Sequence, residues 1–198
     1  MTDSLGPDVV VPRLRGRFGR PYLYAEACPS TQRLLGPELG EGAVAVAEEQ
    51  TEGRGRLGRR WHSPLRTSVL CSILLEPPVD PPRLPELSLV AGEACVEAIV
   101  VVAGLEPQIK LPNDVLLGGR KAAGILAEAS EGRVTLGIGI NVNITEDELP
   151  RDVEHPATSL LVEAGRPVDR VELLVTLLER LERGYDNWVA QAGIRRGT

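Results

Sequence analysis

The sequence has few cysteines, few aromatic residues and no long apolar run. Cys28, Cys71 and Cys95 are odd in number, far apart and without a C-x-x-C pair, which argues against a disulfide framework and a zinc site. No stretch approaches the roughly 18 uncharged apolar residues of a membrane span, and acidic and proline residues interrupt the N-terminus where a signal peptide needs apolar ones. We therefore expect a cytoplasmic protein without a membrane partner.

An excess of basic charge is also missing. The formal net charge is −6, which argues against general nucleic-acid binding and against DNA as a partner. Any anion site must therefore be local. The length of 198 residues, with 42% apolar and 25% charged side chains, predicts one globular domain over 1–198, in which residues 1–20 form an irregular or strand-like lead-in.

The hydrophobic periodicity predicts both strands and helices. Strands are expected at residues 42–50, 67–75, 121–130 and 133–144, the last two joined as a hairpin by Glu131-Gly132. Spacings of three and four residues predict a helix from about Leu84 to Ala103 and a second apolar helical stripe after Val171. A further helix start, capped by Ser30, is expected after Pro29. Because strands come in runs without regular β-α-β alternation, the predicted class is α+β, with a mixed β-sheet packed against helices.

The most informative segment is GRGRLGRRW at residues 53–61, which lies in a loop between two predicted strands. It matches G-x-G-x-x-G formally, but no helix follows that could hold a pyrophosphate at its N-terminus. It also resembles a P-loop, except that Arg59-Arg60 stands where Lys-Ser/Thr is required. Four guanidinium groups within seven residues, separated by glycines, favour an anionic ligand; the alternative is a solvated surface loop.

Together with four other segments, this loop resembles the GRGRxGRxW segment of biotin–protein ligases. The other segments are the Ser30-Thr31-Gln32 triplet, KLPND at 110–114, KAAGILAE at 121–128, and GIGINVN at 137–143 followed by ATSLL at 157–161. Gln32 stands where the family has asparagine, and Leu111 where it has tryptophan. The resemblance covers roughly residues 20–190 and is to the catalytic core alone. From the resemblance we expect these residues to contain neither the N-terminal DNA-binding domain of the repressor members nor the small C-terminal barrel-like domain.

The resemblance implies a two-step reaction and a set of ligands. Biotin and ATP would form biotinyl-5′-AMP with loss of pyrophosphate, and a lysine of a biotin carboxyl carrier protein domain would then receive the biotin. Such chemistry depends on positioning and charge stabilisation, for which arginine, lysine and Mg²⁺ are suited. The implied cofactors are ATP and Mg²⁺; the implied protein partner is the carrier domain, and a homodimer is left open.

The resemblance also implies residue roles. The implied catalytic residues are Lys121, Arg54 and Lys110. The implied biotin-binding residues are Ser30, Thr31, Gln32, Gln50, Arg54, Gly55, Arg56, Lys121 and Gly124. The implied ATP or adenylate contacts are Arg54, Arg56, Trp61, Lys110, Asn113 and Asn141, and Asp114 is the candidate Mg²⁺ ligand. The arginine loop is expected to be mobile without ligand and ordered with it.

Taken singly, several of these residues have structural explanations. Ser30 and Thr31 suit a helix cap, and Asn113-Asp114 suits a turn. Glycines in the predicted strand at 133–144 could leave room for a ligand or mark a bulge. Trp61 could pack in the core or flank a nucleotide. His62 and His155 have no partner spacing and are expected to be surface residues without a catalytic role.

Two other functions compete. A lipoate ligase or octanoyltransferase shares the fold, and the transferase type would use a reactive cysteine beside a lysine; no cysteine here has the surroundings of an activated thiol. A non-catalytic biotin or nucleotide sensor is the other alternative. Two lysines and a complete arginine loop favour catalysis, because binding alone would not require that much charge at the phosphates.

Overall fold

The computed structural model describes residues 4–150 and 156–194, and within them a seven-stranded sheet forms the centre of the molecule. Its strands are β1 (Tyr22–Cys28), β2 (Val44–Gln50), β3 (Ser68–Leu75), β4 (Gln108–Lys110), β5 (Asp114–Leu117), β6 (Arg120–Ser130) and β7 (Arg133–Asn141). They lie in the order β1-β2-β3-β7-β6-β5-β4. β1 and β2 are parallel, and the other neighbouring pairs are antiparallel. The sheet is mixed, which confirms the predicted class.

Two long helices cover one face of this sheet. They are α2 (Leu87–Ala103) and α4 (Arg170–Ile194), while α1 (Pro7–Val10) and α3 (Leu160–Ala164) are short. The apolar stripe of α4 includes the buried Leu174, Leu178 and Tyr185, which join the same core as the apolar face of α2. α2 begins three residues later than predicted, because Pro81–Glu86 forms a 3-10 turn with Pro85 inside it. Gly104, at φ 70°, ends α2 in the left-handed conformation.

Side chains of β7 alternate strictly between the two faces of the sheet. Val134, Leu136, Ile138 and Ile140 are buried in the core that the helices cover. Gly137, Gly139 and Asn141 therefore lie on the opposite face. The β6–β7 hairpin is confirmed as predicted, with Glu131 at φ 52° and Gly132 at φ 80° forming its two-residue turn.

The lead-in is helical where a strand-like or irregular segment was predicted. α1 is followed directly by a 3-10 turn at Val11–Arg13, and the strand-like part of that prediction is wrong. Pro7 stands at the first turn of α1, where its missing N–H costs nothing. Leu5, Val10 and Phe18 are buried and anchor the segment to the core. Residues 1–3 lie outside the described part of the chain.

The helix predicted after Pro29 is only the 3-10 turn Thr31–Leu34, and the side chain of Ser30 makes no cap hydrogen bond. Gly36-Pro37 follows closely and leaves room for a single turn, since a proline disfavours helix at the residue before it. The turn lies against β2, β3 and β7 on the face away from the long helices. In the ranges 4–150 and 156–194, no helix has the length and apolarity needed to cross a bilayer.

Candidate active site

The floor of the candidate site is a bare patch of sheet on the face opposite α2 and α4. Gly124 on β6 is directly paired with Gly139 on β7, and the indole of Trp61 lies over both. A Cβ at Gly139 would be 2.7 Å from Cε2 of Trp61, and one at Gly124 would be 2.8 Å from its Cζ3. The Trp61 ring can therefore lie this close to the sheet only because both positions are glycine. The register between β6 and β7 is regular at these glycines, and the bulge lies on β5, between Val115 and Leu116.

A cleft opens above this floor. Its lining combines polar, cationic, apolar and glycine residues from β2, β3, β6, β7, the 3-10 turn, the β4–β5 turn and the arginine loop. The lining residues are Ser30, Thr31, Gln32, Gln50, Arg54, Gly55, Arg56, Trp61, Cys71, Ser72, Asn113, Lys121, Gly124, Ile125, Leu126, Gly137, Ile138 and Gly139. Residues distant in sequence, from Ser30 to Gly139, thus share one cavity.

One end of the cleft is a neutral hydrogen-bonding cluster. Oε1 of Gln50 accepts from the backbone N–H of Thr31 at 2.8 Å and from its hydroxyl at 3.1 Å. The Thr31 hydroxyl also lies 2.7 Å from the hydroxyl of Ser72 on β3. Thr31 and Ser72 are fully or almost fully buried, so these bonds are shielded from water.

Gln32, where the resembling family has asparagine, crosses from the 3-10 turn to the sheet. Its Nε2 donates to the carbonyl of Leu126 at 3.2 Å and to that of Thr135 at 3.4 Å. The side chain thus joins β6 and β7 beside Gly137, whose missing Cβ would lie 3.2 Å from the same nitrogen. The longer amide fills the space that the glycine leaves.

The other end of the cleft is cationic. Nζ of Lys121 lies 2.6 Å from Oδ1 of Asp114, as an ion pair and not an aligned hydrogen bond, and 5.6 Å from the centre of the Trp61 ring. The backbone of Lys121 is fixed by bonds to Pro156 and Thr158, at 2.7 and 2.9 Å. Nε1 of Trp61 is buried and has no hydrogen-bond partner within the described residues. A ligand acceptor could satisfy that donor.

The arginine loop forms a small hairpin over the cleft. The backbone N–H of Trp61 donates to the Gly53 carbonyl at 2.9 Å, and that of Gly55 donates to the Arg59 carbonyl at 2.8 Å. Leu57 lies at its tip, 85% exposed and with φ at 60°. No apolar contact of that side chain therefore holds the tip against the protein.

Two arginines of the loop reach the opposite wall. Arg54 makes a two-point contact with Glu128 on β6, with nitrogen–oxygen distances of 3.0 and 3.1 Å. Arg56 donates to Oδ1 of Asn113 at 3.1 Å, while Nδ2 of Asn113 donates to the Ile125 carbonyl at 3.0 Å. Protein acceptors thus hold both guanidinium groups over the cleft.

Three of the residues expected in the site do not line the cleft. Lys110 lies on the edge strand β4 and pairs in register with Asp114, and neither residue lines the cavity. Asn141 is buried, and its Nδ2 donates to the Thr158 carbonyl at 2.9 Å. It therefore supports the segment that fixes Lys121. His62 is exposed, as predicted, and His155 lies outside the described residues.

The cysteines have the properties of inert buried thiols. Burial raises the pKa of the Cys71 thiol to about 12 and also raises the pKa of Cys28 and of Cys95 above its ordinary value. Only Cys71 lines the cleft, and a thiol with so high a pKa is almost entirely protonated near neutral pH. The geometry gives no support to an acyl-cysteine intermediate.

Oxygen ligands for a metal are few. In the described residues no group of three histidine, cysteine, aspartate or glutamate side chains is arranged to hold an ion. Asp114 supplies one carboxylate beside the cleft, and Lys121 already contacts it. This set fits a magnesium ion that takes most of its ligands from phosphates and water, as such ions commonly do.

Sequence reasoning did not single out Ser72. A signal for it exists, because this serine lies between Cys71 and Ile73, which face the core, and so has to face the other side of β3. The sequence indicates Glu128 only as the last residue of the KAAGILAE segment at 121–128. Its contact with Arg54 joins residues 74 positions apart, which no local pattern indicates.

The comparisons with known proteins agree with this geometry. Residues 24–145 match the Biotin/lipoate A/B protein ligase family, and the chain belongs to that family. The bifunctional ligase/repressor BirA of Bacillus spizizenii is 37% identical over 181 residues, covering 87% of this chain and 56% of that protein. The biotin–[acetyl-CoA-carboxylase] ligase of Paracoccus denitrificans is 36% identical over 165 residues, covering 79% of this chain and 67% of that protein. The chain thus spans about half the length of the BirA relatives and two thirds of a shorter one.

Solved structures show the same fold. The biotin protein ligase of Aquifex aeolicus, in complex with biotin and ATP, superposes with a TM-score of 0.78 and 34% identity. The match covers 86% of this chain and 72% of the Aquifex chain. The mixed sheet with helices on one face is therefore the catalytic fold of biotin protein ligases.

Proposed function

We propose that the protein is a biotin–protein ligase, which uses ATP to form biotinyl-5′-AMP and then transfers the biotin to a lysine of a carrier domain. The observation that carries this proposal is a single cleft with a neutral hydrogen-bonding end and a cationic end. Biotin has two parts that match these ends: a neutral cyclic urea for the hydrogen-bonding end and an anionic carboxylate for the cationic end. Membership of the family and the ligand-bound Aquifex relative support the same conclusion.

The urea of biotin offers N–H donors and a carbonyl acceptor. Thr31 and Gln50 present hydroxyl and amide groups at the neutral end of the cleft, and the buried Ser30 precedes Thr31 in the chain. In a desolvated site such groups discriminate strongly, because a ligand that left them unpaired would lose their hydrogen bonds. The indole of Trp61, which covers Gly124 and Gly139, then gives the rest of biotin an apolar surface to lie on.

In the first step an oxygen of the biotin carboxylate attacks the α-phosphorus of ATP. The bond from that phosphorus to the bridging oxygen breaks, and pyrophosphate leaves. The contact of Lys121 with Asp114 beside the cleft supports a role in which its ammonium contacts both the carboxylate and the phosphate. The positions of Arg54 and Arg56 over the cleft support a role in which they close over the phosphates. These groups stabilise charge that grows at the reacting atoms.

In the second step the amine of a carrier lysine attacks the carbonyl carbon of the mixed anhydride. AMP leaves and the attacking nitrogen loses a proton, which gives the amide. Neither step needs an enzyme nucleophile, in agreement with the raised pKa of the Cys71 thiol. Magnesium would be held by ATP phosphates with Asp114 as the protein carboxylate, and when bound it would neutralise phosphate charge.

Further parts of the proposal concern the whole protein. We infer one catalytic domain, a cytoplasmic location, a biotin carboxyl carrier protein domain as partner and no DNA contact. The acidic net charge of −6 supports the last point, because DNA binding requires a basic surface. Lys110 on the edge strand and Asn141 behind Lys121 are assigned supporting roles toward ATP.

The test is pyrophosphate release from ATP by the purified chain, with and without biotin, followed by transfer to a carrier domain. We expect release that depends on biotin and is not supported by lipoate or octanoate. Binding of biotin without pyrophosphate release would favour a sensor. An octanoyl adduct on a cysteine, detected by mass spectrometry, would favour the transferase and overturn the proposal.

A further inference from the structure

Ser72 occupies an unusual position in the sheet. It lies in the middle of β3, is 0% exposed, and faces the cleft side opposite Gly137 on β7. Its hydroxyl lies 2.7 Å from the hydroxyl of Thr31, so a buried polar group of the sheet supports a polar group of the site.

The donors and acceptors in this cluster can be assigned by counting protons. A backbone N–H can only donate, so the Gln50 atom facing the Thr31 N–H at 2.8 Å has to be the amide oxygen. That oxygen can only accept, and the single hydroxyl proton of Thr31 is therefore directed to it at 3.1 Å. It follows that the Ser72 hydroxyl donates to Thr31.

This arrangement fixes what the cluster presents to a ligand. The Thr31 oxygen has given away its proton and accepts one bond from Ser72, which leaves a lone pair for a ligand N–H. The amide nitrogen of Gln50 points away from Thr31 and can donate to a ligand carbonyl. An adjacent N–H and C=O are the groups of a cyclic urea.

We propose that Ser72 is a positioning residue, which fixes the Thr31 hydroxyl as an acceptor and thereby selects a urea-type ligand. The inference rests on the proposed function, since it assigns the neutral end of the cleft to biotin. Without Ser72 only the longer contact to Gln50, at 3.1 Å, would hold the Thr31 hydroxyl, and its lone pair would no longer be kept toward the ligand N–H. Ser72 acts on recognition and not on the reacting atoms.

The experiment compares Ser72→Ala with Ser68→Ala. Ser68 is on the same strand and face, is also 0% exposed, and its hydroxyl has no partner among the described residues. We expect Ser72→Ala to raise the Kd and KM for biotin about 5- to 50-fold, the range for loss of a buried hydrogen bond. The kcat and the KM for ATP of Ser72→Ala should stay within about 2-fold of the parent values. The Kd and KM for biotin of Ser68→Ala should also stay within about 2-fold, a change too small for a lost hydrogen bond.

Two further variants separate positioning from other roles. Ser72→Cys keeps a weak donor in a slightly larger side chain, and we expect partial recovery of biotin affinity relative to Ser72→Ala. Thr31→Val should lose affinity by itself, and adding Ser72→Ala to it should cost nothing more, because the residue through which Ser72 acts is gone. Additive losses would overturn the inference, as would a fall in kcat that matches the rise in KM.

The parent protein distinguishes the two proposals. If the unmodified chain fails to bind biotin in a calorimetric titration, the proposed function is wrong and this inference falls with it. If the parent binds biotin and Ser72→Ala binds it equally well, only the inference about Ser72 is overturned.

Discussion

Lys121 is held in the cleft by Asp114, by its own backbone bonds and by the Trp61 ring, which together leave its ammonium at the cationic end. We predict that Lys121→Ala lowers the rate of adenylate formation about 100- to 1000-fold, the loss that follows removal of one preorganised charge stabiliser. The rate is measured as biotin-dependent pyrophosphate release under saturating ATP.

The matched control is Arg120→Ala. Arg120 is the preceding residue, and its guanidinium contacts Glu163 on α3 at 2.8 Å, outside the lining of the cleft. It should retain nearly full adenylation activity. A Lys121→Ala protein that turns over within a few-fold of the parent would remove Lys121 from the reacting centre, and one with a collapsed thermal transition would show a structural role instead.

At this scale, sequence reasoning identifies residues whose chemistry is local. Arg54, Arg56 and Lys121 belong to short motifs of unusual composition, and the structure places all three along one cleft. Ser72 and Glu128 escape because their roles depend on partners 41 and 74 positions away. Only the tertiary fold, which packs the 3-10 turn and the arginine loop against the sheet, brings those partners together.

At the scale of elements, the arginine loop is attached over the cleft by exposed side chains, Arg54 to Glu128 and Arg56 to Asn113. Its tip residue Leu57 is 85% exposed, and its contact to the body through Arg54–Glu128 joins side chains that are 50% and 39% exposed. An exposed ion pair contributes only about 0–1 kcal/mol. The loop should therefore open readily until an anionic ligand adds further contacts to its guanidinium groups.

We predict fast amide hydrogen exchange over residues 51–60 in the free protein and slow exchange with biotin and ATP or with the adenylate. Arg54→Gly should speed adenylate dissociation about 10- to 100-fold, since a bond to a charged group is worth about 1.5–3 kcal/mol. Biotin binding should weaken much less. Escaped adenylate should then label nearby proteins indiscriminately.

Leu57→Gly is the control for the loop, because it adds a glycine at φ 60° without removing a guanidinium. Its adenylate dissociation rate should remain close to that of the parent. Equal exchange in both ligand states, or an unchanged dissociation rate in Arg54→Gly, would contradict the gating role of the loop.

Elements with sustained periodicity were predictable, and those set by a few special residues were not. The β6–β7 hairpin has a strong turn signal at Glu131-Gly132 and a long alternating pattern, and both strands form as expected, except that β7 ends at Asn141, three residues before the predicted end. The 3-10 turn after Ser30 and the helical lead-in depend on prolines and on burial of Leu5 and Phe18. Such tertiary burial overrides the local preference.

At the scale of the whole molecule, one buried ion pair joins segments from both ends of the chain. Arg170, at the start of α4, donates to Glu48 on β2 at 2.7 Å, and both side chains are 0% exposed. Arg170 also donates to the Ser68 carbonyl on β3 at 3.1 Å, and Glu48 accepts from the backbone N–H of Leu5 at 2.7 Å. Lead-in, sheet and last helix thus meet at one point.

We predict that Arg170→Met destabilises the protein by about 3–5 kcal/mol, because it leaves the Glu48 carboxylate buried without its cation. Arg183→Met is the control on the same helix: Arg183 is 53% exposed and contacts Glu97 on α2, and its loss should cost less than about 1 kcal/mol. Adding Glu48→Gln to Arg170→Met should restore part of the stability, since it removes the uncompensated charge.

Urea unfolding followed by tryptophan fluorescence and by far-UV circular dichroism measures all three variants, and coincident transitions are expected if the chain is one domain. Separate transitions for the two signals would contradict the single domain, and an Arg170→Met loss no larger than that of Arg183→Met would show that the buried pair does not hold the lead-in, sheet and last helix together.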